Sequence, residues 1–343
     1  MKKTLSYKLL TAVGLLLASF AFAQDSVADN MLLYQRSVGG WPKHYGEAKI
    51  DYHKTLTEAE RAGLLDDKSR NDATIDNDAT AKEIRHLLTA YGKTKNKKYL
   101  QAAENGIRYL LKMQYANGGF PQFYPDTSSY RNEITYNDDA MVNALNILWD
   151  VAYKAYGFEV VDPSLVEPSK KAVSKGIVCM LKTQLRVKGK LTAWCAQYNN
   201  RTLQPAKARS YELVSISGAE SVNIVRFLMK VEKPSADIKK AITGAVEWFR
   251  ASTVNGFKYL DVPDSTLPKG RDRVLLPDAS STVWARFYDI DTNKPFFSGR
   301  DGVKKWNVNE IEYERRTGYM WYGTWPKELL EKEYPEWKRK NNL

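Results

Sequence analysis

Residues Met31 to Tyr45 read MLLYQRSVGGWPKHY, and the same pattern returns 79 residues later as LLKMQYANGGFPQFY, Leu110 to Tyr124. Each copy joins the apolar end of a helical pattern to Gly-Gly, an aromatic residue and proline. A sequence that repeats itself at a fixed period is typical of folds in which one structural unit packs on the next. The chain is therefore expected to consist of repeated helical units.

Amphipathic helical runs extend outward from these two copies. In six runs, apolar residues recur three and four positions apart, as on one face of a helix. The runs begin at Asp78, Ala102, Asp139, Ala172, Gly218 and Ala241. They group into three helical hairpins, and each hairpin must bury its apolar face against another. A closed ring of helix pairs is the economical arrangement, and an open solenoid is the alternative.

Glycines and a long aromatic segment are expected to separate and follow the helical runs. We expect Gly92 and Gly157 at helix ends, because glycine adopts the left-handed conformation without steric cost. The segment from Val283 to Pro326 is rich in Trp, Tyr, Arg and Gly, and we interpret it as ordered loop of the kind that carries sites. No change in composition divides the chain, so residues 24–343 are predicted to form a single catalytic domain.

The first 23 residues have the pattern of a secretory signal peptide. Lysines precede an apolar run from Leu9 to Phe20, and Ala21-Phe22-Ala23 forms an A-x-A cleavage site. No later stretch is apolar over the eighteen or more residues that a membrane span requires. We predict a periplasmic or secreted protein, with no membrane association after cleavage of residues 1–23.

The net charge narrows the class of partner. The formal charge of the whole chain is +12, and removal of Lys2, Lys3 and Lys8 with the signal leaves +9. A basic surface attracts anionic partners without identifying them. Export and the lack of zinc-finger or RNA-binding motifs argue against nucleic acid, while anionic lipid and acidic polysaccharide both stay open on charge alone. The protein is expected to be a monomer.

Two cysteines are too few for a disulfide scaffold in a chain of this length. Cys179 lies in an apolar run and is interpreted as a buried residue. A bridge between Cys179 and Cys195 is left open by the sequence.

Two acidic clusters precede predicted helices. ATIDNDAT contains Asp76, Asn77 and Asp78, and TYNDDAM contains Asn137, Asp138 and Asp139. One such residue is enough to cap a helix, so capping explains only part of each cluster. Several carboxylates together are unfavourable unless a cation or a proton relieves them. Oxygen ligands without histidine or cysteine suit calcium, while paired carboxylates would also suit a glycosidase.

Eight motifs, in order, resemble the pectate lyases of polysaccharide lyase family ten. They extend from about Asn71 to Pro326 and therefore cover most of the mature chain. They read TIDNDAT, GGFPQFYP, TYNDDAMVNALNIL, TAWCAQYN, ARSYE, SGAESVNIVRFLM, ARFYDIDTNKPFFSGRDG and YERRTGYMWYGTWP.

This resemblance implies an all-α fold, an (α/α)3 toroid of three helical hairpins with long irregular loops forming a cleft. It also implies calcium-dependent cleavage of polygalacturonate by β-elimination, giving 4,5-unsaturated oligogalacturonates. Position by position, it implies a catalytic base, calcium ligands and substrate-binding arginines. These are Arg209 as base, Asp76, Asn77 and Asp138 as metal ligands, and Arg286 and Arg300 for substrate. The role of Asp139, as a ligand or as a helix cap, is left open.

The chemistry explains why such residues are needed. The proton at carbon five of an ionised galacturonate is weakly acidic, so its removal requires positive charge placed in advance. An arginine base requires surroundings that disfavour its charged form, which predicts an alkaline optimum. Two other functions stay open on the residues alone. They are a metal-independent glycoside hydrolase on a helical toroid with paired Asp residues, and a non-catalytic protein that binds acidic polysaccharides.

Overall fold

The computed structural model describes residues 25–126 and 128–343, so the predicted signal peptide, residues 1–23, lies outside the described residues. The α-helices of this part of the chain are α1 (Ser26–Tyr34), α2 (Glu58–Asp66), α3 (Ala81–Thr94), α4 (Lys97–Met113), α5 (Ala140–Tyr153), α6 (Val166–Thr183), α7 (Glu220–Met229), α8 (Ala236–Ala251), α9 (Tyr313–Gly318) and α10 (Tyr334–Lys340). The six helical runs predicted from periodicity correspond to α3 through α8. None of the described helices is long and apolar enough to cross a membrane.

The helices pack as three consecutive pairs. Helix α3 lies against α4, α5 against α6, and α7 against α8. Contacts then pass from pair to pair, since α3 packs on α5 and α5 on α7, while α4 packs on α6 and α6 on α8. The apolar faces buried by these contacts form one core, to which α1 adds Ala28, Met31 and Tyr34.

The fold also contains many strands, all of them paired antiparallel. The strands are β1 (His44–Tyr45), β2 (Ala48–Lys49), β3 (Ile134–Thr135), β4 (Arg186–Val187), β5 (Lys190–Leu191), β6 (Gln197–Tyr198), β7 (Pro205–Ala206), β8 (Ile216–Ser217), β9 (Val254–Pro263), β10 (Arg271–Ala285), β11 (Phe287–Tyr288), β12 (Phe297–Ser298), β13 (Lys304–Lys305) and β14 (Tyr322–Gly323). Over the described residues they form six sheets of two or three strands, in the orders β1-β2, β14-β10-β9, β11-β8, β12-β13, β3-β6-β7 and β4-β5.

The prediction of an all-α (α/α)3 toroid is therefore wrong. Antiparallel sheets are part of the architecture, and the hairpin of β9 and β10 has strands of 10 and 15 residues. Its register places Leu260 opposite Val274, and β14 extends the same sheet with Gly323 opposite Trp284. Most positions of this hairpin are partly exposed on both faces, so the apolar alternation that marks a half-buried strand is weak. The segment interpreted as loop, Val283 to Pro326, also contains short strands and α9.

A glutamine at the end of a helix joins each repeat to the next. Gln35, Gln114 and Gln184 follow α1, α4 and α6, and the side-chain amide of each donates two hydrogen bonds to backbone carbonyls. The acceptors are Gly39 and Ala102 for Gln35, Gly118 and Ala172 for Gln114, and Thr192 and Ala241 for Gln184, at 2.7 to 3.0 Å. One carbonyl of each pair belongs to the glutamine's own loop and the other to a later helix. The amide therefore fixes its own loop to a helix that lies later in the chain.

Buried tryptophans repeat in the same way. The indole N–H groups of Trp41, Trp194 and Trp284 each donate a 2.8 Å hydrogen bond to a carbonyl near the end of a helix, at Met31, Met180 and Phe249. These side chains are buried. Their repetition means that the loop after each of these helices enters the core at an equivalent position.

Neither glycine expected at a helix end directly ends its helix, and the two cysteines are not bridged. Gly92 lies inside α3, which ends at Thr94, and Lys95 adopts the left-handed conformation as its C-cap. Gly157 does have a positive φ, 89°, but follows the end of α5 by four residues. Cys179 and Cys195 are both buried and free, so the bridge left open by the sequence is not formed.

Candidate active site

The two acidic clusters form matching short turns. Asp76–Asp78 and Asn137–Asp139 are 3-10 turns that immediately precede α3 and α5. Four of their residues have left-handed backbone, with φ of 49° at Asn77, 65° at Asp78, 51° at Asp138 and 57° at Asp139. Such values are uncommon for residues other than glycine and cluster at functional sites. Within the described chain, no side chain from either cluster caps α3 or α5, so helix capping does not account for them.

The two turns contact each other and share one cavity. Its volume is about 410 Å³, and its lining includes the four predicted residues Asp76, Asn77, Asp138 and Arg209. Lys43, His44, Arg70, Asp72, Gln122, Phe123, Tyr130, Arg131 and Asn137 also line it. Residues from four separate parts of the chain therefore converge on a cleft that is polar and rich in positive charge.

Asp76 is the most buried acid in this cavity. Its side chain is only 5% exposed, and Oδ2 accepts a hydrogen bond from the ammonium of Lys43. In the described part of the chain, its second oxygen, Oδ1, is buried without a hydrogen-bond partner. A buried carboxylate oxygen without a donor is costly, so it marks a place where a cation or a ligand would be stabilising.

Asp138 lies across from Asp76 and is held by neighbouring groups. Arg286 Nη2 donates to Asp138 Oδ1 at 3.3 Å, and Asn137 Nδ2 donates to Asp138 Oδ2 at 2.9 Å. Burial raises the pKa of the Asp138 carboxyl against the lowering effect of Arg286, and the negative charges of Glu220 and Asp76 raise it further. The negative charges of these acids repel one another, and a bound cation would relieve that repulsion.

Asp139 faces a different, smaller cavity of about 200 Å³ behind the first. Its Oδ2 accepts a 2.7 Å hydrogen bond from Asn223 Nδ2. Burial and the nearby charge of Glu220 raise the pKa of the Asp139 carboxyl to about 7. Asp139 is the N-cap residue of α5, but its side chain makes no capping hydrogen bond and does not line the cavity that contains Asp76.

Arg209 lines the first cavity with a side chain that is 43% exposed. Its guanidinium makes two hydrogen bonds to the carboxylate of Glu212 and lies 4.9 Å from the centre of the Tyr211 ring. Burial favours the neutral form, but the hydrogen bonds and charge of Glu212 outweigh it and raise the pKa of Arg209 above its usual value. In this conformation Arg209 is a firmly charged group positioned at the cavity.

The two predicted substrate arginines have different surroundings. Arg286 is 11% exposed, lies over the Tyr319 ring and contacts Glu220 as well as Asp138, so it supports the second acidic turn from behind. Arg300 is 62% exposed and donates to Glu314 at 3.1 and 3.2 Å. Neither residue belongs to the lining of the cavity that contains Asp76 and Arg209. Their role in substrate binding stays a prediction.

The residues at the two turns fit a calcium ion in their chemistry. Asp76 and Asp138 offer carboxylate oxygens and Asn77 an amide oxygen, which are the ligands that a hard cation prefers. Within the described residues, Asp76 Oδ1 has no hydrogen-bond partner. No group of three or more His, Cys, Asp or Glu suited to a metal occurs among residues 25–126 and 128–343. The predicted set differs from such a group, because it has two carboxylates and one amide.

Sequence reasoning missed several residues around the cavity. Lys43 pairs with Asp76, Glu212 holds Arg209, and Glu220 contacts Arg286. The internal repeat could have pointed to Lys43. The copies GGWPK and GGFPQ place Lys43 and Gln122 at equivalent positions, and both residues line the cavity. Glu212 and Glu220 lie in the quoted motifs ARSYE and SGAESVNIVRFLM, but those motifs did not show that each acid pairs with an arginine at the site.

Comparisons with known proteins show which family the whole chain resembles. A family model described as "Pectic acid lyase" matches residues 35–330. A family 10 polysaccharide lyase from Cellvibrio cellulosa is similar in structure, with a TM-score of 0.80 and 36% sequence identity over 92% of each chain. An alanine mutant of that enzyme, in complex with trigalacturonic acid, gives the same TM-score and identity over 93% of each chain. No curated protein matches the chain.

Membership in an enzyme family over most of the chain decides against a hydrolase and against a non-catalytic binding protein. The chain belongs to the pectic acid lyase family and is a polysaccharide lyase of family ten.

Proposed function

We propose that the protein cleaves polygalacturonate by calcium-dependent β-elimination, with Arg209 as the base. The observation that carries this proposal is the convergence of Asp76, Asn77, Asp138 and Arg209 on one cavity. The similar Cellvibrio enzyme was solved with trigalacturonic acid, which supports an acidic polysaccharide as substrate. Elimination is the reaction expected of a lyase and needs no water molecule as nucleophile.

Asp76, Asn77 and Asp138 would hold the ion. When bound, calcium would supply positive charge that stabilises the carboxylate of the substrate as the adjacent carbon becomes electron-rich. The residues around the cavity add to this effect, because Lys43, Arg70 and Arg131 line it with fixed or tethered cations. They would attract and orient the uronate carboxylates of the polymer.

Arg209 would take the proton from carbon five of the galacturonate. The electron pair of that C–H bond then forms the double bond between carbons four and five, and the glycosidic bond at carbon four breaks toward oxygen. The leaving oxygen would take a proton from solvent water, and the proton held by Arg209 would return to solvent. Because Glu212 favours the charged guanidinium, a base role requires the neutral form to be reached at high pH, and an alkaline optimum is expected.

An assay of unsaturated product on polygalacturonate tests the proposal. Unsaturated ends absorb in the ultraviolet, and we expect their release to require calcium, to stop with a chelator and to resume when calcium is restored. Arg209→Lys should reduce kcat by about 100-fold or more, as loss of a general base does, with little change in substrate affinity. Arg186→Lys, at an exposed position in β4, is the matched control. Undiminished turnover in Arg209→Lys would remove Arg209 from the mechanism.

A further inference from the structure

Lys43 is held beside Asp76 by the backbone that precedes it. The N–H of Trp41 donates to Thr80 Oγ1 at 3.0 Å, and the carbonyl of Trp41 accepts a 3.0 Å hydrogen bond from the N–H of Thr74. Thr74 and Thr80 flank the turn that contains Asp76. The buried Trp41 ring therefore anchors the loop, and Lys43, two residues later, emerges at the cavity wall.

The Lys43 ammonium occupies one side of the Asp76 carboxylate. It donates to Oδ2, while the buried Oδ1 has no partner within the described residues. The Lys43 side chain is 26% exposed, so the ammonium reaches the acid from the cavity side. The Lys43 ammonium is therefore paired with the same carboxylate that the proposed function assigns to the calcium ion.

We infer that Lys43 competes with the metal ion for Asp76 and, once displaced, presents its ammonium to a carboxylate of the substrate. This inference rests on the proposed function, because it assigns Asp76 to the calcium site. An ammonium and a divalent cation repel each other at one carboxylate. The flexible four-carbon stem of lysine lets its head group move while its base stays in place. Calcium binding would then prepare a subsite for substrate in the same cavity.

The internal repeat shows that the fold does not require lysine at this position. Gln122 occupies the equivalent place in the second copy, GGFPQ, and lines the same cavity. A Lys43→Gln variant therefore imitates a residue that the chain already uses in this turn. It removes the charge and leaves the backbone pattern intact.

Calorimetric titration with calcium chloride, without substrate, tests the competition. We expect Lys43→Gln to bind calcium at least about fivefold more tightly than the unchanged chain, because the competing charge is gone. Lys43→Arg, which keeps the charge, and Lys54→Gln, which removes a distant charge paired with Glu60, should both stay within about twofold. At saturating calcium, Lys43→Gln should raise KM for polygalacturonate about threefold or more with a smaller effect on kcat.

Equal or weaker calcium binding by Lys43→Gln would overturn the inference while leaving the calcium site in place. Absence of calcium binding by the unchanged chain would instead overturn the proposed metal site, and the inference with it. A second measurement uses the unchanged chain, in case the variant does not fold. Acetylation of Lys43, followed by mass spectrometry, should increase when calcium is added, while that of Lys54 should not. Unchanged labelling of Lys43 would contradict its release from Asp76.

Discussion

The Arg209 guanidinium is tied to a buried acid at the edge of the cavity. Glu212, 3% exposed, accepts hydrogen bonds from Arg209 Nε at 2.8 Å and from its Nη2, and also from the backbone N–H of Arg209 at 3.1 Å. Such a bidentate pair fixes the plane of the guanidinium and stabilises its charge. Glu212 therefore orients Arg209 and at the same time opposes its deprotonation.

Replacement of Glu212 by Gln should move the pH dependence of turnover toward lower pH. The negative charge of Glu212 raises the pKa of Arg209, so its removal lowers that pKa and makes the neutral base available earlier. The measurement is the pH profile of kcat, with the maximal rate expected to fall because orientation is weakened. A reduced rate with an unshifted profile would show that Arg209 acts as a fixed cation and that Glu212 only positions it.

A second residue, Glu83 in α3, gives a prediction about stability. Its carboxyl is fully buried, accepts a hydrogen bond from the hydroxyl of Tyr52 at 2.8 Å and lies 3.7 Å from Lys82 Nζ. Burial raises its pKa from the ordinary value of 4.5 to about 7. Well below pH 4.5 the Glu83 carboxyl is protonated in both the folded and the unfolded chain, so its burial does not lower the free energy of unfolding.

Between pH 4.5 and about 7 the unfolded chain releases the proton that the folded chain keeps, so stability falls as pH rises. The full loss, reached above pH 7, is about 3 kcal/mol at 1.36 kcal/mol per pKa unit. Glu83→Gln should flatten this decrease in the free energy of unfolding, measured by denaturant titration at pH 4.5, 6 and 8. Parallel curves for the two proteins would show that Glu83 is ionised in the folded chain.

At the scale of elements, the glutamines that follow α1, α4 and α6 each connect a loop to a later helix through the side-chain amide. Gln184 is the most buried of the three, and its amide serves the carbonyls of Thr192 and Ala241. The glycine of the second repeat shows how close the units come. A Cβ at Gly118, whose φ is 93°, would lie 2.1 Å from the carbonyl oxygen of Lys175 in α6. Loop and helix are therefore in direct backbone contact.

Gln184→Ala should destabilise the chain by about 1–3 kcal/mol, because the buried Thr192 carbonyl loses its donor, while the Ala241 carbonyl loses only a second donor beside its bond within α8. Gln101→Ala is the matched control, since Gln101 is exposed on α4 and its amide reaches only the side chain of Asn105. Thermal and denaturant unfolding of both variants gives the comparison. Equal stability of the two variants would mean that water satisfies the carbonyls of Thr192 and Ala241.

At the scale of the whole molecule, the cavity lies where the first two helix pairs meet. Asp76 precedes α3 and Asp138 precedes α5, so an ion between them would connect elements that are distant in the sequence. Binding to the folded chain alone stabilises it by about 2.7 kcal/mol when the ligand is at 100 times its Kd. Calcium should therefore raise the melting temperature of the protein.

Asp138→Asn should abolish most of this calcium-dependent stabilisation, because it removes one of two proposed carboxylate ligands. Asp237→Asn, at an exposed position in the first turn of α8, should retain it. Differential scanning calorimetry with and without calcium measures both. A full thermal shift in Asp138→Asn would place the ion elsewhere.

The periodicity of the six helical runs was sufficient to predict α3 to α8, because each helix buries one stripe of side chains and the stripe is visible in the sequence. The sheets were not predicted. Strand β10 runs Arg271–Ala285 with most residues half-exposed, so its pairing with β9 depends on backbone hydrogen bonds between segments and not on an apolar pattern. The all-α prediction failed for this reason.

The sequence by itself determined the family, the helical repeats and the identity of two acidic turns, because these depend on local residue patterns and ordered motifs. Only the tertiary structure decided that Asp76, Asp138 and Arg209 share a cavity while Asp139 faces another. It alone revealed the partners Lys43 and Glu212. The direction in which a side chain points, and the charges that lie beside it, depend on how distant segments pack. A local pattern of residues does not contain that information.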